Sequence, residues 1–164
     1  MHQDGGKVMK INFFQEQFGE RFESNGLFYF FGEANYIFDT FDQRLIYERG
    51  KITTINKVTR QIILDAIIPG EITIFDILTG SQDSIVKGEW IIEKKGYRIP
   101  FNLKNWGLKG AIWTLHDSGQ PREIYLRTGE ESEVRIKIIY VEPAIGKSVG
   151  EIDLSEFEII DLRE

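Results

Sequence analysis

Residues that could serve catalysis or metal binding are few in this chain, and they are scattered along it. His116 stands beside Asp117, and the only other histidine is His2. A catalytic dyad needs a nucleophile and an orienting group close to the base, and a zinc site needs three or four ligands. The chain has no cysteine, which excludes thiolate chemistry and disulfides. The sequence therefore predicts no catalytic constellation and no metal site.

Three other features contain residue types that are found in binding or catalytic sites. Residues 146–148 (Gly-Lys-Ser) resemble the end of a phosphate-binding loop, but position 141 is Val where that motif requires Gly. The acidic run at 130–133 is typical of a solvated hairpin end. Scattered carboxylates such as Asp39 and Glu48 leave an acid–base enzyme as a minor alternative, which would need two acids in unlike environments within one cleft. We expect a protein without enzymatic activity and without a cofactor.

Composition narrows the classes of partner. The chain has 164 residues and a formal net charge of −6, and its basic residues are mixed among acids. This pattern argues against nucleic acid as a partner, since no basic stripe is present. The sequence has no apolar run of about 18 residues or more, so no membrane-spanning helix is predicted. We expect residues 1–9 to be disordered or left over from expression, and residues 10–164 to form a single domain.

Short segments of alternating apolar and polar residues predict a largely antiparallel sheet. Between Asn25 and Asn56 there are four such segments, separated by Gly and polar residues. Asn25-Gly26 predicts a turn, and Arg49-Gly50 predicts the centre of a hairpin. Further strands are predicted between Ile85 and Val141, and residues 157–162 are expected to add an edge strand.

One segment has the pattern of a short amphipathic helix. Pro69 suits a first helical position and Gly80 a stop, while Ile72, Phe75 and Leu78 follow an i, i+3, i+6 spacing. The sequence thus predicts an all-β-dominated fold with one short helix. The expected architecture is a strongly curved antiparallel sheet, an open or half barrel, with the helical segment over its concave side.

The order of motifs along the chain resembles the LolA-like superfamily of lipoprotein carriers. The matching motifs are aromatic-x-Gln at 13–15, Gly-x-Phe-x-Phe at 26–30, aromatic-x-aromatic at 36–38, x-Gly-Lys at 49–51, Leu-x-Gly at 78–80, Gly-Tyr-Arg-Ile at 96–99 and the turn at 117–121. The resemblance covers nearly the whole chain and implies an incomplete LolA-like half barrel around an apolar cavity, with a helical lid.

The chain departs from the family pattern at several positions, which marks it as a divergent member. The basic residue and Pro that usually end the second strand correspond to Gly32 and Glu33. The Trp and Tyr that usually follow the central hairpin correspond to Thr54 and Asn56.

The resemblance implies a carrier or chaperone that binds a hydrophobic ligand, either lipoprotein acyl chains or another lipid, for transfer between membranes. It also implies a periplasmic location, an inner-membrane transport complex that loads the carrier and an outer-membrane acceptor that unloads it, as in outer membrane biogenesis. The candidate residues lining the cavity are Phe28, Phe30, Tyr36, Phe38 and Trp113. The candidate lid residues are Ile72, Phe75 and Leu78.

Two alternatives remain open from the sequence. The aromatic residues could fill an ordinary core, with the helix simply packed against the sheet. The same fold could then serve as a non-catalytic sensing or scaffold module that binds a protein partner.

Overall fold

The computed structural model describes residues 6–32, 35–67, 85–94, 96–103, 108–115, 121–143 and 149–163. Regular structure in this part of the chain consists of thirteen β-strands. The strands are β1 (Lys7–Gln17), β2 (Glu20–Gly32), β3 (Asn35–Thr40), β4 (Gln43–Glu48), β5 (Lys51–Asn56), β6 (Gln61–Ala66), β7 (Ile85–Lys87), β8 (Ile91–Glu93), β9 (Gly96–Leu103), β10 (Leu108–Leu115), β11 (Pro121–Gly129), β12 (Ser132–Pro143) and β13 (Glu158–Asp161).

All thirteen strands belong to one sheet with the order β13-β6-β5-β4-β3-β2-β1-β12-β11-β10-β9-β7, and β8 also pairs with β9. β13 pairs with β6 in parallel, whereas β2 to β6 and β9 to β12 form antiparallel ladders. The path ends at β13 and at β7, so the described strands do not close into a barrel. The predicted all-β, largely antiparallel fold is confirmed. The predicted helix at 69–80 lies outside the described residues, and no described helix is long and apolar enough to cross a membrane.

The chain divides into two compact units. Unit 1 comprises Met1–Lys10, Asn25–Glu71 and Tyr140–Glu164. Its strands β3 to β6 are six residues each and alternate side chains between two faces. One face buries Phe28, Tyr36 and Phe38, and on the other Val8 and Tyr29 form a small core against Leu27, Ile37 and Val149.

Unit 2 comprises Ile11–Ser24 and Ile72–Ile139. Its core lies on one face of β9 to β12, where Ile99, Phe101, Ile124 and Ile136 are buried. Gly110 lies opposite Phe101, and a β-carbon at Gly110 would overlap the phenylalanine ring. Glycine at this position therefore allows the ring to lie directly on the strand.

The first predicted turn is misplaced. β2 runs without interruption through Asn25-Gly26, and the chain reverses at Phe18-Gly19, where φ is 50° and 81°. Gly26 has a different role, because a β-carbon there would overlap the carbonyl oxygen of Asp39 on β3. The glycine is required for close approach of two strands and not for a turn.

The predicted start of the folded chain at residue 10 is also wrong. β1 begins at Lys7, and Val8 and Met9 are buried. These apolar side chains contribute to a core, so residues 7–9 belong to the folded chain. Met1 to Gly5 lie outside the described residues.

Two other local predictions are confirmed. Arg49 and Gly50 form the turn between β4 and β5, with φ of 48° and 81°, which is the positive-φ pair that a tight hairpin needs. The segment predicted as an edge strand contains β13, which is the last strand of the sheet order beside β6.

Candidate functional site

Four of the five predicted cavity residues lie on one face of β2 and β3. Phe28 pairs with Phe38 and Phe30 pairs with Tyr36, and cross-strand partners point to the same side of a sheet. Their exposed fractions are 0%, 4%, 7% and 2%, respectively. The structure thus brings these four side chains together, on what we call the aromatic face.

The pairing register extends the aromatic face across the sheet as three rows of side chains, about 6.6 Å apart along the strands. The middle row consists of Phe28, Phe38, Leu45, Thr54, Ile63 and Ile160. The tyrosine row consists of Phe30, Tyr36, Tyr47, Ile52 and Asp65. The polar row consists of Thr40, Gln43, Asn56, Gln61 and Glu158.

Aromatic packing organises the buried part of this face. The rings of Tyr36 and Tyr47 stack with centroids 4.6 Å apart at 10°, and Phe28 lies against Tyr36 at 5.3 Å and 36°. Stacked rings of this kind form a rigid apolar surface. Burial decreases across the sheet, because Leu45, Tyr47, Ile52, Thr54 and Ile63 are only half-buried. The wall is therefore closed at β2 and β3 and partly accessible at β4 to β6.

Part of the polar row is held by local hydrogen bonds. The Asn56 side-chain oxygen accepts from the backbone N–H groups of Val58 and Thr59 at 3.1 Å and 3.0 Å. The Thr40 hydroxyl donates to the Asp42 carboxylate at 2.8 Å and accepts from the Gln43 N–H at 3.1 Å. These bonds fix the two turns at this end of the strands.

The opposite face of the same strands carries a charged cluster. Arg44 Nε donates to Asp39 Oδ1 at 2.8 Å, and Lys57 Nζ donates to the same oxygen at 2.9 Å. Arg44 Nη1 also donates to the carbonyl of Gly150 at 2.6 Å, which joins the C-terminal segment to β4. Burial raises the pKa of Asp39, but the hydrogen bonds and positive charges of Arg44 and Lys57 outweigh it, so the pKa lies below its usual value.

A separate cavity of about 640 Å³ lies in unit 2. It is polar and is bordered by the β1–β2 and β11–β12 turns, which are joined by a hydrogen bond from the Phe18 N–H to the Glu131 carbonyl at 3.1 Å. None of the four cavity candidates whose side chains are described, Phe28, Phe30, Tyr36 and Phe38, lines it. The acidic run at 130–133 borders this cavity. In the described part of the chain, no group of three or more acidic, histidine or cysteine side chains could hold a metal ion.

The remaining predicted site residues are placed only in part. Trp113 lies on β10 opposite Arg98 and Glu123, and its side chain is outside the described part of the structure. The lid candidates Ile72, Phe75 and Leu78 also lie outside the described residues.

The sequence interpretation missed the continuation of the face beyond β3. Leu45, Tyr47, Ile52 and Ile63 belong to it through the register of β4, β5 and β6. Alternation does not mark this face, because β4 and β6 carry consecutive apolar residues at 45–47 and 62–64, and Ile52 and Ile55 of β5 lie on opposite faces. Only the pairing register assigns these side chains to the face.

Comparison with known proteins gives the fold and not a family. No protein-family model matches the chain, and no curated protein matches it in sequence. Among solved structures, an uncharacterised conserved protein from Thermus thermophilus is similar with a TM-score of 0.56 and 7% identity, covering 96% of this chain and 91% of that one. A domain from Vibrio parahaemolyticus named for outer membrane lipoprotein sorting is similar with a TM-score of 0.50 and 5% identity, covering 94% and 91%. The chain shares its fold with these two proteins.

A LolA superfamily protein from Nitrosomonas europaea also matches, with a TM-score of 0.44, 7% identity and coverage of 86% and 87%. The fold assignment rests on the two neighbours with higher scores. At this level of identity the likeness describes backbone architecture, so the ligand must be argued from this chain's own side chains.

Proposed function

We propose that this protein is a non-catalytic carrier that holds the acyl chains of a lipoprotein or another lipid against the aromatic face. The observation that carries the proposal is the pair of adjacent rows, middle and tyrosine, that present mainly apolar side chains across five strands. The LolA-like fold supports it, since one neighbour with that fold is named for lipoprotein sorting.

The energetics of such a wall suit a carrier. Burying about 12 methylenes of an acyl chain would contribute on the order of 10 kcal/mol before ordering costs, at about 0.8 kcal/mol each. Such binding needs no specific polar contact. The half-buried side chains of β4 to β6 give the acyl chain of the ligand a surface to contact, and the buried rings of β2 and β3 need not move.

In this function the periplasm is the place of action. An inner-membrane complex loads the carrier, and an outer-membrane acceptor with higher affinity unloads it. Transfer then requires only a difference in affinity between carrier and acceptor.

The test is native mass spectrometry of the protein purified from a bacterial host, followed by lipid extraction and titration with a fluorescent acyl ester. Co-purified lipid, or saturable binding of the ester that an unlabelled lipid displaces, is the expected result. A ligand-free mass together with no ester binding would contradict the proposal. The aromatic face would then be an ordinary core, and the chain would be a scaffold or sensing module for a protein partner.

A further inference from the structure

The three rows of the aromatic face differ in chemistry along the strand direction. The middle and tyrosine rows are mainly apolar, whereas the polar row offers hydroxyl and carboxamide groups near the β3–β4 and β5–β6 turns. From the tyrosine row to the polar row the distance is four residues, about 13 Å. An amphiphile lying along the strands would therefore have its chain on two rows and its headgroup on the third.

Several groups near this third row can bond to a ligand. Gln43 is half-buried, and its carboxamide makes no hydrogen bond to the described residues. Asn56 uses its oxygen in the turn, which leaves its NH₂ group as a donor. The Thr54 hydroxyl, in the adjacent middle row, is likewise half-buried and makes no hydrogen bond to the described residues.

Basic side chains of the same strands and turns are placed away from this row or are already paired. Arg44 and Lys51 lie on the opposite face, since they pair with Asp39 and Glu48 across the ladders. Lys57 Nζ lies beside the row, since it donates to the Thr40 carbonyl at 2.6 Å, but its charge is paired with Asp39 at 2.9 Å. Arg60 Nη1 lies 2.7 Å from Glu156 Oε2. Within the polar row itself, the charged side chain is the carboxylate of Glu158.

We propose that the polar row is a headgroup subsite that selects amphiphiles with an uncharged, hydrogen-bonding headgroup, such as a glyceryl ester, over those with an anionic one. This inference rests on the proposed function. Carboxamides and hydroxyls replace the water bound to ester and hydroxyl groups, whereas a carboxylate or phosphate placed there would lose hydration without gaining a positive partner. The polar row thus selects against an anionic headgroup because that headgroup loses hydration free energy on binding and gains no compensating contact.

Displacement titrations with two ligands that share one chain length test this selectivity. Monolauroylglycerol and laurate are titrated against the same fluorescent acyl ester at pH 8, below their micelle concentrations. Because the two acyl chains have the same length, the ratio of the two affinities reports the contribution of the headgroup to binding. We expect the glyceride to bind at least about tenfold more tightly, a difference of about 1.4 kcal/mol.

A charge introduced into the row provides the second measurement. Gln43→Lys should reduce the glyceride-to-laurate ratio at least about fivefold, because the ammonium then pairs with the carboxylate. Thr53→Lys, which adds the same charge on the opposite face, should leave the ratio unchanged. A glyceryl ester group can come from a lipoprotein or from a free glyceride, and a synthetic lipopeptide with an S-glyceryl cysteine ester distinguishes these two sources. If the lipopeptide binds more tightly than the glyceride, the natural ligand is a lipoprotein. If it binds more weakly, the natural ligand is a free glyceride.

The outcomes are distinguishable. Laurate binding as tight as the glyceride, or an equal change of the ratio in both lysine variants, would overturn the headgroup subsite and leave the carrier function standing. Failure of every ligand to displace or bind would overturn both proposals.

Discussion

Asp39 is the residue on which the charged cluster of unit 1 depends. It accepts hydrogen bonds from Arg44 and Lys57, and Arg44 in turn holds the carbonyl of Gly150. The Arg44 side chain is 10% exposed, so loss of its carboxylate would leave a nearly buried cation without its ionic partner. The ion pair between Asp39 and Arg44 thus joins β3, β4 and the C-terminal segment.

Asp39→Asn should lower the free energy of unfolding at pH 7 by about 2 kcal/mol, between the values for exposed and buried pairs. Since the pKa of Asp39 is lowered in the folded state, its stabilising contribution is present above the ordinary aspartate pKa and is lost as the pH falls through the lowered one. The difference between wild type and variant should therefore shrink in acid. Urea unfolding at several pH values measures it.

Asp161→Asn is the matched control for this ion pair. Arg163 lowers the pKa of Asp161 to about 2 by hydrogen bonding, but both groups are exposed to solvent. Screening by water makes this substitution the milder of the two. Equal losses in the two variants, or a difference at Asp39 that grows in acid, would contradict the assigned role of the cluster.

Thr53 and Thr54 offer a matched pair for locating the ligand. Both are half-buried on β5, but Thr54 pairs with Leu45 and Ile63 on the aromatic face, whereas Thr53 pairs with Ile46 and Leu64 on the other. Thr54→Lys should weaken binding of an uncharged acyl ester at least about tenfold, because a cation would interrupt the apolar wall. Thr53→Lys should bind as wild type does. Ester titration of both variants decides between the two faces.

This pair is a sharper test than substitution of the buried aromatics. Phe38 is 4% exposed, and a glutamate there would unfold the protein whether or not the ring contacts a ligand. Equal loss of binding in both threonine variants, with unchanged unfolding midpoints, would remove the aromatic face as the binding site.

At the scale of elements, sequence patterns predicted what depends on local chain geometry. Strands β3 to β5 and the Arg49-Gly50 turn follow from short apolar segments bounded by Gly and polar residues and from the need for positive φ. The prediction of a turn at Asn25-Gly26 was wrong because a glycine can be required for either of two reasons, a positive φ or the close approach of a neighbouring strand. Only the position of Asp39 on the neighbouring strand distinguishes them.

The candidate site was predictable to a similar extent. The family resemblance implied that Phe28, Phe30, Tyr36 and Phe38 line one cavity, and the pairing register places the four on one face of β2 and β3. Contact with a ligand stays a prediction. The polar row could not be derived from sequence, because it depends on the register of four separate ladders and not on spacing within a strand.

Gly26 provides the prediction at this scale. Gly26→Ala should lower the free energy of unfolding by about 1–3 kcal/mol, since β2 and β3 would have to separate locally around the new methyl group. Gly129→Ala is the control, because the nearest side-chain atom to a β-carbon there is Ser132 Cβ at 3.6 Å, an ordinary contact. Urea unfolding of both variants should show a clear loss only at Gly26, and equal losses would contradict the close-approach explanation.

At the scale of the whole molecule, binding and folding are linked. A ligand that binds only the folded protein adds RT ln(1 + [L]/Kd) to the free energy of unfolding, about 2.7 kcal/mol at a hundredfold excess over Kd. For a chain of this length that corresponds to a rise of about 5–10 °C in the melting temperature. The rise should continue with the logarithm of ligand concentration after the site is saturated.

Thermal melts followed by circular dichroism, at increasing concentrations of monolauroylglycerol, measure this linkage. Thr53→Lys should show the same shift as wild type at each concentration, and Thr54→Lys should need at least about ten times more ligand for an equal shift. A glyceride that lowers the melting temperature would be binding the unfolded chain preferentially, as a detergent does. That result, or equal shifts in the two variants, would contradict binding of the ligand at the aromatic face.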